Sequence, residues 1–169
     1  MNEFLKQISS YNLFNYLFPG AIFCLLADNF FHHKLILEDL FAAFFFYYFI
    51  GLVISRVGSV LLEPVLRGLG FVPTNDYSAF VQTNTADEKL DVLSEANNVY
   101  RTMIALPICL AIYQGGYVLA TSLSMPLSIR GAFFLVALLL LFLASYRKQN
   151  AYISKRIEAH NCVSGTKDG

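Results

Sequence analysis

Residues 131–146 read GAFFLVALLLLFLASY, sixteen positions with no charge and almost nothing polar. A helix rises about 1.5 Å per residue and the hydrocarbon core of a bilayer is about 30 Å thick, so a crossing takes roughly 20 mostly apolar residues. With one turn added at either end this stretch meets that length, and it is the purest of four such runs. Immediately upstream, Arg101 and Arg130 bracket a neutral stretch, 102–129, long enough for another span plus a small turn near Ser124, Met125 and Pro126. Further back, 40–55 is free of charge and contains the block FFFYYF at 44–49. It is short, so either Leu35 to Leu37 or Val57 to Leu62 extends it. The earliest run lies between Lys6 and Asp28 and includes Leu13, Phe14, Leu17, Phe18, Ile22, Phe23, Leu25 and Leu26.

The composition of the whole chain agrees. Of 169 residues 56% are apolar, 15% aromatic and only 14% charged, whereas a soluble domain averages about one quarter charged. A surface this poor in charge faces lipid rather than water. The expected fold class is all-α, a four-helix transmembrane bundle with a small helical segment between spans two and three. The expected division is 1–56 and 102–146 as two transmembrane hairpins, 57–101 as the intervening segment and 147–169 as a basic tail. Twelve basic residues balance twelve acidic ones, which gives no ground for direct nucleic-acid binding, and hydrophobicity this high excludes a disordered chain. A cleaved signal peptide would need a basic start and a small-residue cleavage site. Glu3 beside Lys6, the interruptions at Asn12 and Asn15, and the sequence Ala27-Asp28-Asn29 fit that poorly.

Lys and Arg flanking the spans set orientation, because basic loops stay in the cytoplasm. Ten of them fall on one side: Lys6, then Arg56, Arg67, Lys89 and Arg101, then Arg147, Lys148, Lys155, Arg156 and Lys167. Lys34 and Arg130 alone fall on the other. Both termini and the middle segment are therefore expected inside a multi-pass inner-membrane protein, with a short loop, 29–39, and a tight turn near Ser128 outside. Cys24, Cys109 and Cys162 form no closely spaced pair, and free thiols are expected.

The middle segment opens with Val60, Leu61, Leu62, Val65, Leu66 and Leu69 against Glu63 and Arg67, interrupted by Pro64, Gly68 and Gly70. Two readings stand: an interfacial helix lying on the inner leaflet, or a continuation of span two that ends at Glu63. After Pro73 polarity rises, and Thr74 or Asn75 could cap a short helix through Val81. Thr85 then precedes Ala86, Asp87 and Glu88 with capping-box spacing, and Leu90, Leu93, Ala96, Tyr100, Met103 and Ile104 recur at helical intervals. The spacing predicts one long helix from near Asp87 into span three, with a bend at Pro107. Its wet half presents Asp87, Lys89, Asp91, Glu95 and Asn98, a mixed-charge face that either is solvated or docks a soluble partner. Arg147, Lys148, Lys155 and Arg156 in the tail suit anionic headgroups or topogenesis equally.

Catalytic constellations are missing from the spans. Intramembrane proteolysis needs paired titratable groups at membrane depth, and none of the four runs holds them. No phosphate loop or Cys-x-x-Cys pair occurs, and the adjacent His32 and His33 point apart on most backbones, so no metal, cofactor or enzymatic activity is expected. What the spans do hold is neutral and polar. Gln114 with Gly115, Gly116 and Tyr117 lies near the middle of span three, where an amide must find a partner and two glycines admit a close backbone. The reading is a helix contact or a pore constriction. Asn12, Asn15, Pro19 and Gly20 play a similar part in span one, and Arg56 and Arg130 read as interface anchors.

The stretches YNLFNYLFPG at 11–20 and EANNVYRT at 95–102, with the four spans and the middle segment, resemble the membrane-subunit family of the Kiwa anti-phage defence system (KwaA). The resemblance implies a tetrameric inner-membrane sensor of phage attack that works with a soluble DNA-binding partner (KwaB-like). It covers the layout of the whole chain, but only these two stretches in motif, and it carries over no site residue. Independently, four short helices enclose little interior, so a homo-oligomer is expected. Two functions compete: a sensor or scaffold that recruits a soluble cytoplasmic effector through 57–101, and an oligomeric pore that depolarises the cell. The absence of a polar stripe along any full span favours the sensor.

Overall fold

A computed structural model of the chain describes residues 13–72 and 89–165. The described residues form four helices and no strand. Helix α1 comprises a π-helical turn, Leu13–Leu17, and the α-helix Phe18–Phe31. Helix α2 runs Leu40–Gly68, α3 Lys89–Ser122 and α4 Leu127–Gly165. The chain is thus an all-α bundle, and α2, α3 and α4 are each long and apolar enough to cross a membrane. The described part of α1 is shorter.

Local chemistry sets the boundaries. His32 adopts the left-handed conformation (φ 55°) and its N–H caps α1 through the carbonyls of Ala27 and Asp28. Helix α1 therefore passes beyond Asp28, four residues further than the charge-free run indicated. Asp39 starts α2: its Oδ1 accepts from the Ala42 N–H at 2.7 Å, the usual service of an N-cap carboxylate. This leaves Leu35 to Leu37 outside the helix and makes 57–62 the extension of span two. Pro64 does not end that helix. A proline removes one intrahelical donor and crowds the preceding turn, and α2 widens into a π turn at Gly58–Leu62 just before it. The stretch 57–68 is therefore a continuation of α2 that runs past Glu63 to Gly68, rather than a separate interfacial helix. A short link centred on Ser124 (φ 50°) joins α3 to α4. The helix expected near Thr74 and the capping box at Thr85 to Glu88 lie outside the described residues.

The core sits where α1, α2 and α3 meet. Phe23, Cys24, Ile54, Ala105 and Leu106 are buried, with Tyr47, Ile50, Cys109 and Tyr113 packed around them. Helices α1 and α2 cross backbone to backbone at two glycines. A Cβ on Gly20 would collide with the carbonyl oxygen of Tyr47, and one on Gly51 with that of Tyr16. Only hydrogen at these two positions permits the crossing, a device typical of helices packed in lipid.

Candidate functional site

Two polar constellations hold the end of the bundle at which α1 and α3 begin. The inner one is fully buried: Asn15 on the π turn of α1, Ser55 on α2 and Thr102 on α3 have no exposure. The Thr102 Oγ1 lies 2.9 Å from Asn15 Oδ1, 3.3 Å from Ser55 Oγ and 2.8 Å from the Asn98 carbonyl. A hydroxyl carries a single proton, so Thr102 donates to one oxygen at a time while Ser55 can donate to Thr102. The Asn15 Nδ2 has no partner among the described residues. Three helices are thereby pinned by groups whose alternative is an unpaired dipole in an apolar interior.

The outer constellation is ionic. Glu63, carried past Pro64's π turn to the end of α2, accepts from Arg67 Nη2 at 2.7 Å, Arg101 Nη1 at 3.0 Å and Lys148 Nζ at 2.9 Å. Lys148 also donates to the carbonyl and hydroxyl of Ser59 and lies over the Tyr152 ring. One carboxylate, 14% exposed, thus gathers α2, α3 and α4 through three cations. Neighbouring Arg56 donates to the Tyr16 hydroxyl at 3.3 Å, which ties α2 to α1.

The structure distributes the expected partner face unevenly. Asp87 lies outside the described residues, and of Lys89 and Asp91 only the helical backbone is described. Glu95 is exposed and Asn98 half-buried. At about 100° per residue, Glu95 and Asn98 fall in line with Thr102, so the polar face is the downward continuation of the stripe that faces the core. Lys89 falls on another side of the helix. Val92, Leu93 and Tyr100 are exposed around the same turns at 65%, 65% and 69%, an apolar component that the charges had concealed.

At the opposite end Gln114 has a partner, though not a neighbouring helix. Its Oε1 lies 2.9 Å from His33 Nε2, and the His33 ring packs edge-on against Tyr113 and Tyr117, with centroids 5.1 and 4.3 Å away. The loop between α1 and α2 is thus strapped onto α3. Gly115 and Gly116 have open space where a side chain would be, so no helix among the described residues uses them for close approach. Beside them a cavity of about 580 Å³ opens between α3 and α4, lined by Ile112, Tyr113, Gly116, Phe133 and Phe134 among others. Arg130 closes its rim by donating to the carbonyls of Met125 (2.8 Å) and Ala120 (3.1 Å), which caps α3. No metal-ligating cluster occurs among the described residues, and Cys24 and Cys109 are free thiols.

Sequence reasoning passed over Gly51, Thr102 and the role of Glu63. Each had a visible cue: a small or hydroxyl residue inside or at the edge of an apolar run, and a lone acid among basic residues. No family model matches the chain, and no curated protein or solved structure shows significant similarity to it.

Proposed function

We propose that this chain is a multi-pass scaffold of the bacterial inner membrane that senses phage attack and recruits a soluble cytoplasmic effector, the role implied by its resemblance to the Kiwa membrane subunits. The observation that carries the reading is the length of α3 and α4. At about 1.5 Å per residue they reach about 50 and 58 Å, against about 30 Å of hydrocarbon. The excess falls at one end of the bundle, because Lys148 of α4 and Arg101 of α3 meet on the same Glu63. That end carries eight of the ten Lys and Arg among the described residues, the bias expected of a cytoplasmic side. Two rigid helical extensions thus rise from the inner leaflet, with Glu95, Val92, Leu93, Ile153 and Ile157 exposed on them. Mixed charge with interspersed apolar residues suits a protein partner better than bare solvation.

The His33–Gln114 strap gives such a scaffold an outward-facing input, since the external loop touches the helix that continues to the cytoplasmic extension. It also occupies the amide that a pore reading would place on a conducting axis. The catalytic groups of an enzyme have no place in this scheme, and a homo-oligomer, a tetramer by the resemblance, would cover more of α4. The test is co-purification of a soluble cytoplasmic protein with the full chain from its native cells. The double variant Lys89→Glu with Glu95→Lys is expected to lose most of that protein while still inserting into the membrane. Unchanged co-purification overturns recruitment through this part of α3, and ion flux through liposomes that Gln114→Leu abolishes would establish the pore instead.

A further inference from the structure

The cations around Glu63 outnumber it three to one, and they do so at the foot of helices long and apolar enough to cross a membrane. Excess positive charge at such a depth is costly unless an anion completes it. Lys148 is already saturated, since its three N–H groups go to the Ser59 carbonyl, the Ser59 hydroxyl and Glu63. The two arginines are not equivalent to it. Arg67 spends one contact on Glu63 and leaves 42% of its side chain exposed. Arg101 is 18% exposed, and its Nε, shielded from solvent, has no hydrogen-bond partner among the described residues. A guanidinium presents its donors as a planar fork that matches two oxygens of one phosphate.

We propose that the Arg67–Arg101 side of the Glu63 node binds a phosphate group, supplied by an anionic lipid of the adjoining leaflet or by a free phosphate ester. The phosphate takes the arginine donors that Glu63 does not use and competes with Glu63 for those it does. Occupancy therefore loosens the ion pairs joining α2 to α3, while the Ser59 contacts keep Lys148, and with it α4, in place. The inference rests on the chain being embedded in a membrane and is independent of effector recruitment.

The experiment uses the full chain in nanodiscs of phosphatidylcholine alone, of phosphatidylcholine with phosphatidylglycerol, and of phosphatidylcholine with added inorganic phosphate. Retained lipid is read by native mass spectrometry and stabilisation by thermal shift. Phosphatidylglycerol should be retained in preference to phosphatidylcholine. Arg67→Gln should weaken retention about fivefold, the worth of one basic residue at an anionic surface. Arg147→Gln, on an exposed residue beside the node, should change it less than twofold. Glu63→Gln removes the competitor and should raise retention, whereas a residue with only a structural role would lower it. Stabilisation by inorganic phosphate without lipid adducts, sensitive to Arg67→Gln, supports the site and names a soluble ester as its ligand. Equal losses in Arg67→Gln and Arg147→Gln, or no preference for phosphatidylglycerol and no response to phosphate, overturn it. The Arg67–Arg147 comparison decides the matter even if Glu63→Gln does not fold.

Discussion

Helices α1 and α2 meet with backbone against backbone at Gly20 and Gly51, and a buried trio of polar side chains ties them to α3. Helices α3 and α4 share a tight turn and the Arg130 cap, yet a cavity of about 580 Å³ opens between them. The most apolar windows of α2, α3 and α4 are 22%, 11% and 0% buried, and α4, the greasiest of the three, is buried least. In water that order would be absurd. In lipid it follows directly, because acyl chains solvate leucine as well as another helix does, and association must come from close packing and polar contacts. Helix α4 lacks both along Phe133 to Leu143 and is held chiefly by Lys148 at its foot.

The comparison can be broken most sharply at Gly51. Gly51→Ala puts a methyl group against the Tyr16 carbonyl, and since backbone cannot yield as a flexible side chain does, the cost should reach about 3 kcal/mol or more. Gly116→Ala, with open space around it, should be neutral or stabilising by up to about 1 kcal/mol. Thermal unfolding in detergent measures both, and equal effects would erase the distinction between the hairpins. Next comes Thr102→Val, which strands Asn15 Oδ1 and Ser55. It should cost about 1–2 kcal/mol by the same assay. Smallest is Leu139→Ala on the bare face of α4, 58% exposed, expected within about 0.5 kcal/mol. A larger loss for Leu139→Ala that grows with protein concentration would reveal a second copy packed on that face.

Much of the architecture was legible because lipid imposes a length rule on every crossing. The runs at 40–55, 102–129 and 131–146 each became a helix, and the long helix expected from near Asp87 through Pro107 is described from Lys89 onward. What local patterns could not convey was partnership. Gln114 demanded a partner by its chemistry, but that the partner is His33, eighty-one positions away, depends on how the loop between α1 and α2 folds back. Ser55 and Thr102 looked like ordinary residues beside arginines until the crossing of α1 with α2 brought Asn15 between them. Pro64 read as an interruption, because a π turn that absorbs a proline leaves no periodic trace. The proposed partner face was visible as charge, while its apolar neighbours Leu93 and Tyr100 were absorbed into the helical repeat and looked like core, and Val92 was not singled out.

The account depends on the extended ends of α3 and α4 lying in the cytoplasm while the loop bearing His33 lies outside. Single cysteines placed at Glu38 and at Glu95, both exposed, in a chain otherwise stripped of cysteine, can be challenged with a membrane-impermeant maleimide. Glu38→Cys should react in intact spheroplasts and Glu95→Cys only after lysis. Labelling of Glu95→Cys before lysis, or of neither site until the membrane is broken, would contradict the arrangement from which the proposed function is built.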